Sequence, residues 1–332
     1  MWPSTRASGW PEMDASPLAP DLVPAAVTEA LPTQRPPSGV WRQSWFRFRR
    51  NRAGLIGLAL VTIVVLVAVV GPFLAPFDPN DQSAMLHGAS RQAPSAAHWL
   101  GTDRVGYDVL SRTIYGAPTA LAVGLGAMLI ASLIGVAVGG IAGYVGGLVD
   151  EALMRATEFF MVVPVFVVIL AVVRLFGIVV VGTPLERIPN LNLITIIVLL
   201  GLFEWPSVAR MTRAEFLRLR QAEFVEAALC IGTSRRDILL RHILPNALPP
   251  LIVLVALGIG GAILAEAMVS FLGFGDPKSI SWGQALFFNY QVLQVAPWAC
   301  LAPGAAIFVT VLGFNLLADG LTDAFNPRVR GG

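Results

Sequence analysis

The residues best suited to a chemical task lie in one polar island, Glu215 to Pro245, which reads EFLRLRQAEFVEAALCIGTSRRDILLRHILP. Within it stand Glu226-Ala227-Ala228, then Gly232, then Leu244-Pro245. The chemistry these residues offer is recognition, not bond-making. Ala227 and Ala228 leave a shallow surface that a partner's cleft can approach closely. Glu226 supplies a charge that can anchor a loop or pair with Arg235 or Arg236. A solvated connection with one salt bridge is the plainer reading of the same spacing.

Bond-making chemistry has few carriers here. Cys230 and Cys300 form no CxxC and build no disulfide framework, and they read as ordinary small buried residues. His87, His98 and His242 are scattered, so no metal site is expected. There is no HExxH, no GxSxG and no convergent acid pair, so no catalytic residue is named. A P-loop needs Gly-Lys-Ser/Thr, and the sole lysine, Lys278, follows Pro277. No cofactor is therefore expected in this chain, and energy for any work must come from a partner. The net charge of +2 gives no footing for nucleic acid.

The elements that must position the island are membrane helices. Soluble domains carry about 25% charged residues; this chain has 13%, with 55% hydrophobic. Residues 1–40 hold eight of the 24 prolines and no apolar period, which predicts a disordered tail. Residues 41–53 set five arginines among aromatics directly before an apolar run, a basic interfacial anchor. Residues 54–74 are long enough to cross ~30 Å of hydrocarbon as a first, uncleaved span. Residues 75–118 read as an extracytoplasmic loop with a short interfacial helix along Val109, Leu110 and Ile114.

Residues 119–318 predict a five-helix core, with spans at 119–141, 156–181, 191–208, 247–272 and 296–318. A short outer helix is expected around 282–290, a cytoplasmic hairpin at 215–245, and a cytoplasmic tail at 319–332. Of the 23 Lys and Arg, 17 fall on the segments assigned inside, which supports six spans with both termini cytoplasmic. Gly135, Gly139, Gly143 and Gly147 recur every fourth residue and form a helix-packing stripe, within the chain or between subunits. Arg174 lies near the outer end of span three and can reach the headgroups. Glu266 falls near the outer end of span five, where it serves structure or lines an outer gate.

Inside the island, Ala222 to Ile231 favours a helix with Phe224, Val225, Ala228 and Leu229 on its apolar side. Gly232 suits that helix's C-terminus. Ser234 and Asp237 form a capping box that starts a second helix, and Pro245 is expected to stop it soon after. The product is a short helix hairpin.

Glu-Ala-Ala, three residues, Gly and a distal Leu-Pro resemble the coupling motif of ABC-importer permeases. The run Arg241 to Asn246 is similar to the peptide and nickel importers of that family, with His242 where the motif has Ile. Three more stretches resemble its C-type permease: His98 to Arg112, Gly143 to Arg155, and Ala265 to Gly275. The first carries Gly106-Tyr107-Asp108 where Gly-Arg-Asp is usual. The resemblance spans about Trp41 to Arg330. It implies an all-α type I importer permease in the cytoplasmic (inner) membrane, moving dipeptides, oligopeptides or nickel chelates. It implies a second related permease as heterodimer partner, two cytoplasmic ATPases holding ATP and Mg, and an external solute-binding protein. It assigns ATPase coupling to Glu226, Ala227, Ala228, Gly232, Ser234, Asp237, Leu244 and Pro245. A proton-coupled secondary transporter is the rival reading, but the sequence shows no clear internal duplication and its charges avoid span centres.

Overall fold

The computed structural model describes residues 40–80, 90–180 and 182–325. The proline-rich tail and residues 326–332, on which two of the sequence readings fall, lie outside the described residues. Among the described residues the regular structure is helical. It comprises α1 (Val40–Phe48), α2 (Arg52–Leu74), α3 (Val109–Val145), α4 (Gly147–Val162), α5 (Val165–Val179), α6 (Leu191–Arg220), α7 (Glu223–Cys230), α8 (Leu244–Val269), α9 (Trp282–Asn289) and α10 (Trp298–Phe325). Five stretches are long and apolar enough to cross a membrane, and a bent pair, α4 with α5, brings the number to six.

Each boundary has a local cause. Asn51 caps α2, its side chain accepting from the Gly54 amide at 2.8 Å. Asp108 caps α3 by accepting from Ser111 N at 2.8 Å. Between α3 and α4, Gly146 and Gly147 take φ of +74° and +60°, a region glycine enters without penalty. Val163 and Pro164 then break the third crossing into α4 and α5, bent by 75°.

Several expected boundaries move. The separate interfacial helix at Val109 does not exist: α3 runs unbroken for 37 residues, with Pro118 inside it. Once Asp108 starts the helix, nothing in the apolar sequence ends it before the glycine pair. The inside loop expected before Arg155 is helix α4. Span four continues as α6 to Arg220, because Thr212, Phe216 and Leu219 keep a buried face beyond the apolar run. The tail expected from Asp319 is helical to Phe325, where α10 still has a partner. The Asn51 amide donates to Asp323 at 2.6 Å, and Gly54 lies so close to Gly320 that a Cβ at Gly54 would sit 2.9 Å from its Cα. The start of α2 and the end of α10 are therefore at the same end of the bundle.

The core centres on α3 against α6. The glycine stripe makes this approach close: a Cβ on Gly135 would meet Val208, one on Gly139 the Ala209 carbonyl, and one on Gly143 Phe216. These three serve packing inside the chain. Gly147 does not join them: it lies past the end of α3 and has open space around it. By contrast α2 turns much of its surface outward, with Ile63, Leu66, Val69 and Phe73 exposed. Apolar residues in that position face lipid or another subunit.

Candidate functional site

The island folds into the expected hairpin, and its turn is set by local chemistry. Helix α7 ends with the Gly232 N–H donating to Leu229 O at 3.0 Å and the Thr233 N–H donating to Ala228 O at 3.0 Å. That paired arrangement is a Schellman cap, and it needs the left-handed φ of +79° seen at Gly232. Two residues later Ser234 Oγ accepts from Asp237 N at 3.2 Å and donates to the Asp237 carboxylate at 2.7 Å. Asp237 also pairs with Arg241 at 3.3 Å.

The second arm differs from expectation. Pro245 does not stop it. The chain passes from Arg235–Asp237 through a π-helical turn, Ile238–Ile243, straight into α8. The Leu244 N–H reaches back five residues to Leu239 O, and Pro245 then occupies the first turn of α8, where its missing N–H costs little. The hairpin's second arm is thus continuous with α8, while its first arm, α7, is joined to α6 through Gln221 and an extended Ala222.

It is also packed. Val225 and Ala228 of α7 bury against Phe216 and Leu219 of α6 and against Ile238, Ile243 and Ala247, with Leu244 beside them. Ala228 is therefore an inward residue, 5% exposed, and the outward surface of the Glu-Ala-Ala run consists of Glu226 and Ala227. Phe224 and Leu229, expected on the buried side, are 41% and 53% exposed. A single turn-and-a-half of contact on α7 buries only one narrow stripe. Glu226 makes no ion pair with Arg235 or Arg236 among the described residues; all three are exposed. The free surface of α7 and its cap sets Phe224, Ala227, Leu229 and Ile231 beside the carboxylates of Glu223 and Glu226, with Arg235 and Arg236 exposed on the second arm.

Three ties that sequence reading missed fasten this unit to the bundle. Arg213 of α6 grips Asp150 of α4 with two bonds, Nε at 2.5 Å and the second guanidinium nitrogen at 2.6 Å. Arg220 donates to the Tyr144 carbonyl at 3.0 Å, and Tyr144 Oη donates to the Arg235 carbonyl at 3.2 Å. The residues are separated by tens of positions, so no local pattern announces them.

At the far end of α8, Glu266 is 3% exposed inside the protein, not at a lipid surface. Ser270 Oγ donates to it at 2.5 Å, and Ser281 is a second hydroxyl partner. The site residues thus fall into two groups. Glu226 to Pro245 cluster on the hairpin, and Glu266 stands at the other end of the bundle.

Comparison with known proteins gives this arrangement its context. Residues 135–331 match the family described as binding-protein-dependent transport system inner membrane component. Residues 39–94 match the N-terminal TM domain of oligopeptide transport permease C. A dipeptide transport system permease protein of Alkalihalophilus pseudofirmus is 35% identical, over 87% of this chain and 90% of the relative. An oligopeptide transport system permease protein of Bacillus subtilis is 33% identical, over 88% and 90%. A glutathione transport system permease protein of Shigella sonnei is 34% identical, over 92% and 97%. With an all-helical bundle in which five helices, or six counting the bent pair, are long and apolar enough to cross a membrane, a packed hairpin that runs into one of them, and these matches along most of its length, the chain belongs to the family of binding-protein-dependent inner membrane transport components, the permease subunits of ABC importers, in which ATP hydrolysis resides on separate subunits.

Proposed function

We propose that this chain is the permease subunit of an importer that carries dipeptides or short oligopeptides across the cytoplasmic membrane. The observation that carries this reading is the similarity to dipeptide, oligopeptide and glutathione permeases over nearly the whole chain. In this reading both termini are cytoplasmic, which fits the shared end of α2 and α10 and the arginine bias. The partners are a second related permease, two ATPases holding ATP and Mg, and an external binding protein that delivers cargo.

The hairpin seats in a groove of one ATPase. Its outward face supplies Phe224, Ala227 and Leu229 as apolar contacts and Glu226 as the charge that fixes register. Gly232, Ser234 and Asp237 hold its turn, while Ala228, Leu244 and Pro245 join it to the bundle. Because α8 runs out of the hairpin's second arm without a break, and α7 packs on α6 through Phe216 and Leu219, movement of the ATPases passes to the crossings as a rigid-body motion. Glu266 and its serines sit where the opposite end would open, and Glu266→Gln tests that role through outward access.

Transport and binding-protein-stimulated ATPase activity of reconstituted complexes test the coupling. Gly232→Pro removes the cap donor and forbids φ of +79°, and Glu226→Lys reverses the charge. Both variants are expected to lose coupled uptake. Wild-type coupling in both would sink the proposal. Peptide recovered with the co-purified binding protein identifies the cargo.

A further inference from the structure

At the end of the bundle opposite the hairpin, a cavity of about 350 Å³ opens between α5, the start of α6 and the segment joining α8 to α9. Its size matches small-ligand sites. Asn192 in its wall and Arg220 at the hairpin are separated by roughly 42 Å along α6 at 1.5 Å per residue. Arg174 lines this cavity. It is the one charged residue of α5, and it has no hydrogen bond or ion pair among the described residues. A smaller cavity of about 220 Å³ adjoins it through Gly177, Asn192 and Pro277 and adds Lys278, whose ammonium is likewise unpaired among the described residues.

Of the acids nearby, Asp276 lines the smaller cavity beside Lys278, with its carboxylate held on backbone amides. Asp276 accepts from the Leu193 amide at 3.2 Å and from the Lys278 amide at 2.8 Å. Glu266 is held by Ser270, whose residue forms part of the cavity wall. The Gln284 amide donates to the Asp276 carbonyl at 3.3 Å. What remains available to a ligand is Arg174, Lys278 and the Asn192 amide, beside the rings of Phe287 and Phe288. Two cations and an amide donor against an aromatic wall form a receptor for an oxyanion attached to an apolar body. Arg174 is exposed near the outer end of α5, so its guanidinium is open to a ligand.

We propose that this cleft is a carboxylate-recognition site in the transport path, with Arg174 as the primary contact, Lys278 at the rim and Phe287 against the cargo's apolar side chain. The site rests on the peptide reading above, since a peptide's C-terminus supplies the carboxylate. A phospholipid phosphate offers similar oxygens, so the test separates the two sources.

The whole importer is reconstituted with saturating loaded binding protein, and uptake is measured for a peptide with a free C-terminus and for its C-terminal amide. Arg174→Gln is expected to lower uptake of the acid roughly tenfold, the factor for one lost charge-assisted bond. Uptake of the amide is expected to change little. Arg174→Lys restores part of the acid's advantage, and Lys278→Gln lowers it several-fold. Equal loss of acid and amide in Arg174→Gln, or no loss of either, overturns the site. So does a defect that appears only in vesicles with anionic lipid, which assigns Arg174 to a headgroup. If the wild-type complex moves no peptide, the peptide reading falls. The site is then judged on the cargo recovered with the binding protein: a cargo without an anionic oxygen overturns it, and uptake of an anionic one that depends on Arg174 retains it.

Discussion

The two ends of this bundle are held together by different means. The hairpin's own turn is ordered by neighbours in sequence, a Schellman cap at Gly232, a capping box at Ser234 and a small apolar cluster, and only its attachment to the bundle uses distant residues, Arg213 with Asp150 and Tyr144 with Arg220 and Arg235. At the opposite end, order comes from residues far apart. Trp282 Nε1 donates to Thr113 O at 2.8 Å and Trp298 Nε1 to Thr102 O at 3.0 Å. Each indole lies over a glycine, Gly116 and Gly101, where any Cβ would collide with it. Arg104 bridges to Asn289 and Gln291. The locally built end can move as a unit while keeping its shape. The other end keeps its shape only while its distant segments stay docked.

The largest effect separating the two ends is expected at Trp282. Trp282→Ala removes a 4% exposed indole and its long-range bond, and costs roughly 3–5 kcal/mol of stability by thermal unfolding in detergent. A variant with unchanged unfolding but failed coupling would contradict the division drawn above. Next is Gly232→Ala. The space around Gly232 is open, so the penalty is the left-handed backbone alone, about 1–2 kcal/mol. It is expected to appear in stimulated ATPase activity more than in global unfolding. Ser234→Ala follows, at about 1 kcal/mol for the lost cap, read as faster hydrogen exchange in residues 235–243. Smallest is the coupling between ends: Trp282→Phe and Ser234→Ala combined should add to within about 0.5 kcal/mol. A larger deviation would show that docking at one end is sensed at the other.

The same division explains what could be read from the chain. The long apolar helices, the cap at Gly232 and the capping box at Ser234 follow from patterns within a few residues, and the structure contains them, with the expected span at 156–181 broken at Val163 and Pro164. Helix ends were less legible. Val109, Leu110 and Ile114 announce a helix and Asp108 caps it locally, but nothing local says that it runs on through Pro118 into the apolar crossing. Pro245 reads as a stop in isolation, yet the π-turn before it absorbs the missing donor. Of the four residues expected on one apolar side, Val225 and Ala228 are buried while Phe224 and Leu229 face outward, because the hairpin's orientation is set by Phe216 and Ile238, outside the helix being read. The Arg213–Asp150 clamp and the unpaired Arg174 are tertiary facts with no sequence signal beyond the presence of a charge.

The seam between α2 and α10 has a consequence for how the protein is made. Asn51 and Asp323 are 272 positions apart, yet they bond, and Gly54 lies against Gly320 between them. The first crossing to leave the ribosome meets its main partner only when the last one arrives. At about 5–20 residues per second this interval is roughly 15–50 s. Throughout it, the Gly54 and Gly57 face of α2 waits for its partner, while the other end of the helix, at Gly71 and Pro72, can already pack on Ile114 and Tyr115 of α3. Assembly of this bundle therefore closes like a clasp, when α10 reaches the α2 face made 272 residues before it.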